Sequence, residues 1–399
     1  MSITTIAPFA KPLYVMIKPI GPVCNLKCTY CYYLDTKKLY AETSSHRLSD
    51  ELLENFIVQY MESQTMAPIL FTWHGGEPLL RDIGFYQKAL DLQQRYGRGR
   101  QVDNSLQTNG TLLTDEWCRF FKENNFLIGI SIDGTQRFHD KYRKTNGGKP
   151  TFGNVMYGIN LLKKYGVEYN IMGVVNDCNV DYPLEFYNFF KSIDSHFIQF
   201  APIVERYPNG EVTEWSVSPK KWGDFLIAIF DEWVKRDVGN YFIQYFDAAL
   251  ANWIKVEPGT CIFSENCGHA GVMEFNGDIY ACDHFVFPEY KLGNIKDKTL
   301  TEMMYSRKQL DFGMNKSEGL SSQCRQCKYK FACHGECPKN WISTTPQSEK
   351  INYLCAGYYK FFEHIAPYMD YMKRELEAQR PPANIMWNLD KINLMNYDN

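Results

Sequence analysis

Short apolar segments alternate with amphipathic segments through the first half of the chain. Each apolar segment is nearly continuous and rich in β-branched and aromatic residues, which is typical of strands buried on both faces of a parallel sheet. The predicted strands cover residues 13–17, 69–73, 102–107, 127–132, 169–175 and 197–201. The predicted helices between them cover residues 50–63, 83–96, 115–124, 152–165 and 183–193. This succession predicts an α/β fold, a partial TIM-like (β/α)6 barrel with its helices outside.

The pattern changes after about residue 202. An amphipathic segment over 219–235 predicts a helix, and the chain then becomes rich in glycine and cysteine. Asn276 and Gly277 separate two short apolar runs, which is the strongest short signal for a β-hairpin. A long helix is predicted over 352–379. The expected parts are a barrel domain over 1–250, a small cysteine-rich domain over 251–380 that includes the C-terminal helix, and a polar tail over 381–399.

Composition narrows the class of protein. The chain has 399 residues, of which 45% are hydrophobic and 22% charged, and its net charge is −3. This balance is typical of a globular protein with a large core and excludes a disordered chain. No block of like charges points to nucleic acid, and no apolar run approaches the ~20 residues that cross a bilayer. Because the first residues also lack the pattern of a signal peptide, we expect a cytoplasmic protein without a nucleic-acid or membrane partner.

Three cysteines stand together near the start of the chain. Cys24, Cys28 and Cys31 lie within eight residues, shortly after the first predicted strand. A [4Fe–4S] cluster normally takes four cysteine thiolates, and this loop supplies three. One iron would then be open to a ligand that the protein does not provide. The alternatives are a zinc site that lacks its fourth ligand and the packing of buried cysteines.

Eight more cysteines lie in the last third of the chain. They occupy positions Cys261, Cys267, Cys282, Cys324, Cys327, Cys333, Cys337 and Cys355. Eight thiols suit two sites of four thiolates each. Spacing alone fits either zinc ribbons or iron–sulfur clusters, because both use closely spaced cysteine pairs.

A glycine turn follows the second predicted strand directly, with the sequence Gly75-Gly76-Glu77-Pro78. Together with the C-x3-C-x2-C spacing of the first cysteines, this turn resembles the radical S-adenosylmethionine (SAM) superfamily. In that family, SAM binds the open iron through its amino and carboxylate groups and is reduced to a 5′-deoxyadenosyl radical. The positions that the resemblance implies for SAM binding are Tyr30, Gly76, Glu77, Ser131, Arg143 and Ile198.

The distal cysteines closely resemble the SPASM extension of that superfamily, which carries two auxiliary [4Fe–4S] clusters. The resemblance assigns the first auxiliary cluster to Cys261, Cys267, Cys282 and Cys337. It assigns the second to Cys324, Cys327, Cys333 and Cys355. Fully ligated clusters have no open iron, so these two are expected to carry electrons. The implied cofactors are SAM and three [4Fe–4S] clusters.

The segment that begins Cys282-Asp283 is similar to the catalytic segment of anaerobic sulfatase-maturating enzymes, and the similarity extends over nearly the whole chain. It implies that Asp283 is a general base and that Tyr33 and Gln107 lie in the substrate pocket. The implied substrate is an unfolded sulfatase polypeptide with a C/S-x-P/A-x-R segment. Its serine or cysteine would be oxidised to Cα-formylglycine by loss of a Cβ hydrogen, a proton and an electron. An electron donor such as a flavodoxin or ferredoxin would be needed.

Other functions are open from the sequence. A SPASM-type peptide maturase would use the same cofactors to form a thioether or carbon–carbon crosslink. A zinc-stabilised binding module would need only the cysteines. A pure electron-transfer protein would leave the open iron and the SAM-type motifs without a role.

Overall fold

The strands follow the predicted order closely. The computed structural model describes residues 13–40, 45–390 and 392. Its strands are β1 (Tyr14–Ile17), β2 (Ile69–Trp73), β3 (Val102–Thr108), β4 (Leu127–Ser131), β5 (Tyr169–Val175), β6 (Phe197–Pro202), β7 (Phe242–Ile243), β8 (Ala270–Met273), β9 (Asp278–Tyr280), β10 (Lys291–Asn294), β11 (Ser343–Thr344) and β12 (Lys350–Ile351). The six strands predicted for the barrel are therefore present, and their ends differ from the prediction by one residue at most.

The helices alternate with β1 to β6 as expected. They are α1 (Tyr33–Thr36), α2 (Asp50–Ser63), α3 (Ile83–Gly97), α4 (Asp115–Glu123), α5 (Gln136–Tyr142), α6 (Phe152–Tyr165), α7 (Pro183–Ser192), α8 (Pro219–Arg236), α9 (Gln244–Trp253), α10 (Leu300–Met304), α11 (Arg307–Glu318), α12 (Ser322–Gln326), α13 (Lys330–Cys333) and α14 (Cys355–Glu377). Side-chain caps fix several starts: the Ser49 hydroxyl accepts a hydrogen bond from the Leu52 backbone N–H at 3.2 Å. Helices α1, α5 and α9 to α13 were not predicted.

The chain forms two compact units. The first contains the described residues up to 131 together with 140–169 and 268–314, and the second contains 132–139, 170–267 and the described residues from 315 onward. In the first unit β1 to β4 pair in parallel in sequence order. In the second unit β5, β6 and β7 also pair in parallel. Parallel pairing is what the near-continuous apolar runs predict.

The predicted hairpin forms, and its first strand joins the first unit. Strand β8 pairs in parallel with β1, with Ile17 opposite Met273, while β8 and β9 pair antiparallel. Gly277 has a φ of +86° in the turn, a conformation that favours glycine. The pairing with β1 brings the segment after the hairpin beside the start of the chain.

Aromatic residues dominate the buried interior of each unit. In the first unit the rings of Trp73 and Phe71 are stacked. The rings of Trp73 and Tyr86 meet edge to face, with their centroids 5.5 Å apart. In the second unit α8 and α14 approach closely through Gly223 and Gly357, where a methyl group on Gly223 would lie 2.8 Å from the carbonyl oxygen of Gly357. Among the described residues, no helix is both long enough and apolar enough to cross a bilayer.

Candidate active site

The three early cysteines lie in the loop after β1. The Sγ atom of Cys24 accepts hydrogen bonds from the Leu26 backbone N–H at 3.3 Å and from Asn109 Nδ2 at 3.6 Å. Burial raises the pKa of Cys24, and the neighbouring Glu77, Cys28 and Cys31 raise it further. A thiol in such a place is a poor anion unless a metal compensates its charge. The donor set therefore fits a three-cysteine iron–sulfur site with a SAM-accessible iron.

The glycine turn is attached to the cysteine loop through its backbone. The N–H of Gly76 donates to the carbonyl oxygen of Gly21 at 2.7 Å, and the N–H of Glu77 donates to that of Val23 at 2.9 Å. A methyl group on Gly76 would lie 1.9 Å from the carbonyl oxygen of Val23, which is far inside contact distance. Glycine is thus required here for close backbone approach, and the turn and the loop are held as one structure.

The carboxylate of Glu77 is fully buried and hydrogen-bonded within the protein. It accepts from the Leu79 N–H at 3.0 Å, the Thr108 hydroxyl at 2.7 Å and the Asn109 N–H at 2.8 Å. Burial raises its pKa to about 7, and the three hydrogen bonds act in the opposite direction. Glu77 therefore connects the glycine turn to the end of β3, in addition to any contact with SAM.

Four other predicted positions form two pairs in the first unit. The Gln107 amide donates to the Ser131 hydroxyl at 3.0 Å, so these strand-end side chains meet. The Arg143 guanidinium lies 5.7 Å from the centre of the Tyr30 ring and acts electrostatically on Cys31. A guanidinium at this position suits the carboxylate of a ligand held beside the cysteine loop.

Ile198 lies on β6 in the second unit and is 1% exposed. Its backbone pairs with Ile171 on β5 and Ile243 on β7. Its predicted contact with the adenine of SAM stays a prediction.

Asp283 lies beside a buried lysine at the end of β1. The ammonium of Lys18 is 2.6 Å from Asp283 Oδ1 and 2.9 Å from Glu274 Oε1, and the Lys18 side chain is completely buried. Burial alone would lower the pKa of Lys18, but the two carboxylates raise it above its ordinary value. A buried cation of this kind is stable only when anions are close, so Lys18 is held between two acidic side chains.

Two phenols cover the other oxygen of the Asp283 carboxylate. The hydroxyl of Tyr32 donates to Asp283 Oδ2 at 2.5 Å and that of Tyr33 donates at 2.7 Å. His74 Nδ1 accepts the Gly75 backbone N–H at 2.8 Å and lies 3.0 Å from the Tyr33 hydroxyl. Since Nδ1 is an acceptor, neutral His74 carries its proton on Nε2.

The charges around Asp283 favour its ionised form. Burial by itself would raise the pKa of the carboxyl, but Lys18, His74 and His284 together hold it below its usual value. An ionised carboxylate that is held by several donors can accept a proton from a hydroxyl group that replaces one of those donors.

No local motif singles out Lys18, Glu274 or Tyr32. Lys18 directly follows β1, Glu274 directly follows β8, and Tyr32 directly follows Cys31. The available signal was a charged residue directly after the apolar run of β1 and another inside the hairpin. Their pairing depends on the contact between β8 and β1, which no local pattern specifies.

Four distal cysteines surround one cavity in the second unit. The cavity has a volume of about 400 Å³, and its lining includes Cys324, Cys327, Cys333 and Cys355. These are the four thiols assigned to the second auxiliary cluster. Burial raises the pKa of Cys333, which again favours a metal-bound thiolate over a free one.

The cysteines assigned to the first auxiliary cluster are described in their own units. Cys261, Cys267 and Cys337 lie in the second unit, where they share the electrostatic neighbour Lys316. Cys282 lies in the first unit, directly before Asp283. The assignment of these four thiols to one cluster stays a prediction.

Two family models match the chain. The radical SAM superfamily matches residues 19–190, and the SPASM iron-sulfur cluster-binding domain matches residues 267–328. These matches confirm the expected fold class, a partial barrel followed by a SPASM domain. They also confirm that the chain is a radical SAM enzyme with SAM and [4Fe–4S] clusters as cofactors, three clusters being the number that fits the family.

Individual relatives point to one group within that superfamily. The chain is 61% identical over 402 residues to a serine-type anaerobic sulfatase-maturating enzyme of Bacteroides thetaiotaomicron, with 97% of each chain covered. It is 34% identical over 360 residues to a cysteine-type anaerobic sulfatase-maturating enzyme of Clostridium perfringens, covering 89% of this chain and 97% of the relative.

A solved structure extends this likeness to the fold. A structure described as native anSMEcpe with bound AdoMet and Cp18Cys peptide matches with a TM-score of 0.82 at 33% identity, covering 92% of this chain and all of that one. The crosslinking maturase is accordingly not favoured. By sequence identity over nearly its full length, and with a radical SAM barrel and a SPASM domain in place, the chain belongs to the family of anaerobic sulfatase-maturating enzymes.

Proposed function

We propose that this radical SAM oxidoreductase converts a serine of a sulfatase polypeptide to Cα-formylglycine, and that serine is preferred to cysteine. The observation that carries the reaction type is the largely buried carboxylate of Asp283, which pairs with Lys18 and accepts hydrogen bonds from Tyr32 and Tyr33. Support for serine comes from identity: 61% to a serine-type relative against 34% to a cysteine-type one. The proposed substrate segment is C/S-x-P/A-x-R in an unfolded chain.

The cofactors supply the radical chemistry. When bound, SAM on the three-cysteine cluster supplies a 5′-deoxyadenosyl radical for removal of a Cβ hydrogen, and the auxiliary clusters accept one electron. The proposed ligands are Cys24, Cys28 and Cys31 for the SAM-binding cluster. Arg143, Ser131 and the Gly76 turn would hold SAM through its carboxylate, ribose and amino groups, as the first-unit geometry allows.

A side chain of the protein, Asp283, is the proposed acceptor of the substrate's hydroxyl proton. Asp283 Oδ1 is occupied by Lys18, which leaves Oδ2 facing the two phenols. A substrate hydroxyl that displaces Tyr33 would donate to Oδ2, and the carboxylate would take its proton as the electron leaves. Hydrogen atom, proton and electron together account for the two hydrogens that separate serine from the aldehyde.

The partner and the compartment are part of the same proposal. A small electron carrier, a flavodoxin or a ferredoxin, would reduce the SAM-binding cluster at each turnover. We place the reaction in the cytoplasm, because thirteen reduced cysteines need a compartment that keeps thiols reduced.

Matched peptides test the proposal. The reduced enzyme and SAM are incubated with peptides that differ only in serine, cysteine or alanine at the target position. We expect the serine peptide to lose two hydrogens and to react with a hydrazine probe, faster than the cysteine peptide, while the alanine peptide is unchanged. A crosslinked product without a carbonyl would overturn the reaction type, and a faster cysteine peptide would overturn the stated preference.

A further inference from the structure

A second buried lysine has no role in the reaction as described. Lys316, in the last turn of α11, is completely buried in the second unit. Its ammonium donates to the carbonyl oxygens of Cys261 at 2.6 Å and Ile262 at 2.8 Å. Among the described residues, no carboxylate lies within ion-pair distance of Lys316. A buried ammonium that lacks a direct ion pair is costly, so negative charge from a further source close to it would stabilise it.

The thiols around Lys316 identify that source. Its strongest electrostatic neighbours are Cys267 and Cys261, followed by the carboxylate of Glu336, which lies outside ion-pair distance, and by Cys337. These are three of the four cysteines assigned to the first auxiliary cluster. A [4Fe–4S] cluster with four thiolates carries net negative charge and would compensate the ammonium.

Within the described part of the chain, no cation is among the main electrostatic neighbours of Cys324, Cys333 or Cys355. The strongest electrostatic neighbours of Cys324 are Cys327 and Glu349, and those of Cys333 are Cys355 and Glu336. The lysine nearest in sequence, Lys328, is about half exposed and is paired with Glu363 at 2.9 Å. Charge is therefore distributed unequally between the two predicted cluster sites.

We propose that Lys316 raises the reduction potential of the first auxiliary cluster and thereby favours transfer of the substrate's electron to that cluster. Adding an electron makes a cluster more negative, and a nearby buried cation favours the reduced form. Lys316 thus influences electron transfer through the cluster and does not touch the substrate. That the electron comes from a serine substrate rests on the proposed function. The effect of Lys316 on the reduction potential does not depend on it.

Potentiometric titration tests this directly. The reduction potentials of the three clusters are measured by EPR in anaerobically purified, fully loaded enzyme without peptide. We compare Lys316→Met, Lys316→Gln and Lys316→Arg, with Lys328→Met as the control for a lysine beside the second site. Iron and sulfide are quantified in every variant, so that a lost cluster is distinguished from a shifted one.

We expect Lys316→Met and Lys316→Gln to lower the potential of one auxiliary cluster by at least about 59 mV, a tenfold change for one electron. The other two potentials stay unchanged, and Lys316→Arg retains the value of the unmodified enzyme. Glutamine keeps N–H donors for the two carbonyl oxygens but carries no charge. If Lys316→Gln leaves all potentials unchanged, the lysine serves only the Cys261–Ile262 turn and the proposal is wrong.

The potentiometric titration and the peptide assay test different claims, so their results can be interpreted separately. Should the unmodified enzyme fail to oxidise serine while Lys316→Gln still shifts one potential, the proposed function is overturned and the tuning role stands. If Lys316→Met loses iron, the glutamine and arginine variants decide the question. Equal shifts in Lys316→Gln and Lys328→Met would show a nonspecific charge effect and contradict the assignment.

Discussion

At Asp283 two opposing requirements are met by neighbouring side chains. A base must be ionised, yet burial works against ionisation. The ion pair with Lys18 at 2.6 Å resolves this, and Glu274 keeps that cation compensated when Asp283 gains a proton. The trio carries one negative charge before proton transfer and none after it. After the transfer Lys18 remains paired with Glu274, so the ammonium keeps a counter-charge when Asp283 is neutral.

Removing the lysine should leave two buried carboxylates without a cation. We expect Lys18→Met to lower the free energy of unfolding by about 3–5 kcal/mol, the usual cost of breaking a buried pair. The matched control is Lys88→Met, whose ion pair with Asp50 is exposed on both sides and should cost less than about 1 kcal/mol. Denaturant titrations of the anaerobic enzymes measure both, and equal losses would show that Lys18 does not hold a buried charge pair.

Part of this site follows from the sequence and part does not. The cysteines, the glycine turn and Asp283 lie in short motifs whose spacing carries the chemistry. Lys18 and Tyr32 could not be predicted, because they lie 265 and 251 residues before Asp283 along the chain. Their roles arise from a long-range contact, and a single lysine or tyrosine in a strand or loop is ordinary by itself.

Among the elements, the glycine turn shows most clearly how local backbone controls the site. Gly76 and Glu77 donate their N–H groups to the cysteine loop, and Glu77 then holds the end of β3. The sequence placed the turn after β2 correctly. It did not show that the turn and the cysteine loop are in backbone contact.

Adding a single methyl group should separate these two segments. We expect Gly76→Ala to lose about four irons per chain, those of the SAM-binding cluster, together with SAM binding, since the new Cβ would lie 1.9 Å from the Val23 carbonyl oxygen. Gly153→Ala is the control, because nothing lies within 4 Å of a Cβ at that helical position. Iron analysis and equilibrium dialysis with SAM provide the readouts; a Gly76→Ala enzyme with full iron and normal SAM affinity would contradict the assigned contact.

The hairpin shows the limit of local pattern at this scale. Asn276 and Gly277 predicted the turn correctly, and the SPASM match over residues 267–328 includes the hairpin. The pairing of its first strand with β1 was not predicted. In the structure β8 pairs with β1 and lies in the first unit. Strand patterns specify which faces are buried but not which strand becomes the neighbour, so the placement of Asp283 beside Lys18 required the structure.

For the whole molecule, cofactor content is the broadest check. Three four-iron clusters predict about twelve irons and twelve sulfides per chain in anaerobically purified enzyme. Replacing Cys24, Cys28 and Cys31 together by alanine should leave about eight irons and abolish SAM cleavage, because the auxiliary sites use other thiols. Zinc without sulfide in the unmodified protein would contradict the cofactor assignment.

The separate roles of the cysteine loop and of Asp283 can be tested in a single reaction. The cysteine loop is proposed to begin the reaction and Asp283 to complete it, so the two steps should separate when only the base is removed. Asp283→Asn keeps the size of the side chain and an oxygen that can accept from the two tyrosines, but it cannot be an anionic base. SAM binding and its reductive cleavage should therefore survive the substitution.

The decisive measurement is the ratio of formylglycine to 5′-deoxyadenosine formed by Asp283→Asn with a serine peptide. We predict that 5′-deoxyadenosine still forms, while formylglycine falls by about 10²–10⁴-fold, the usual contribution of a general base. An unchanged ratio, with both products at the level of the unmodified enzyme, would contradict the account.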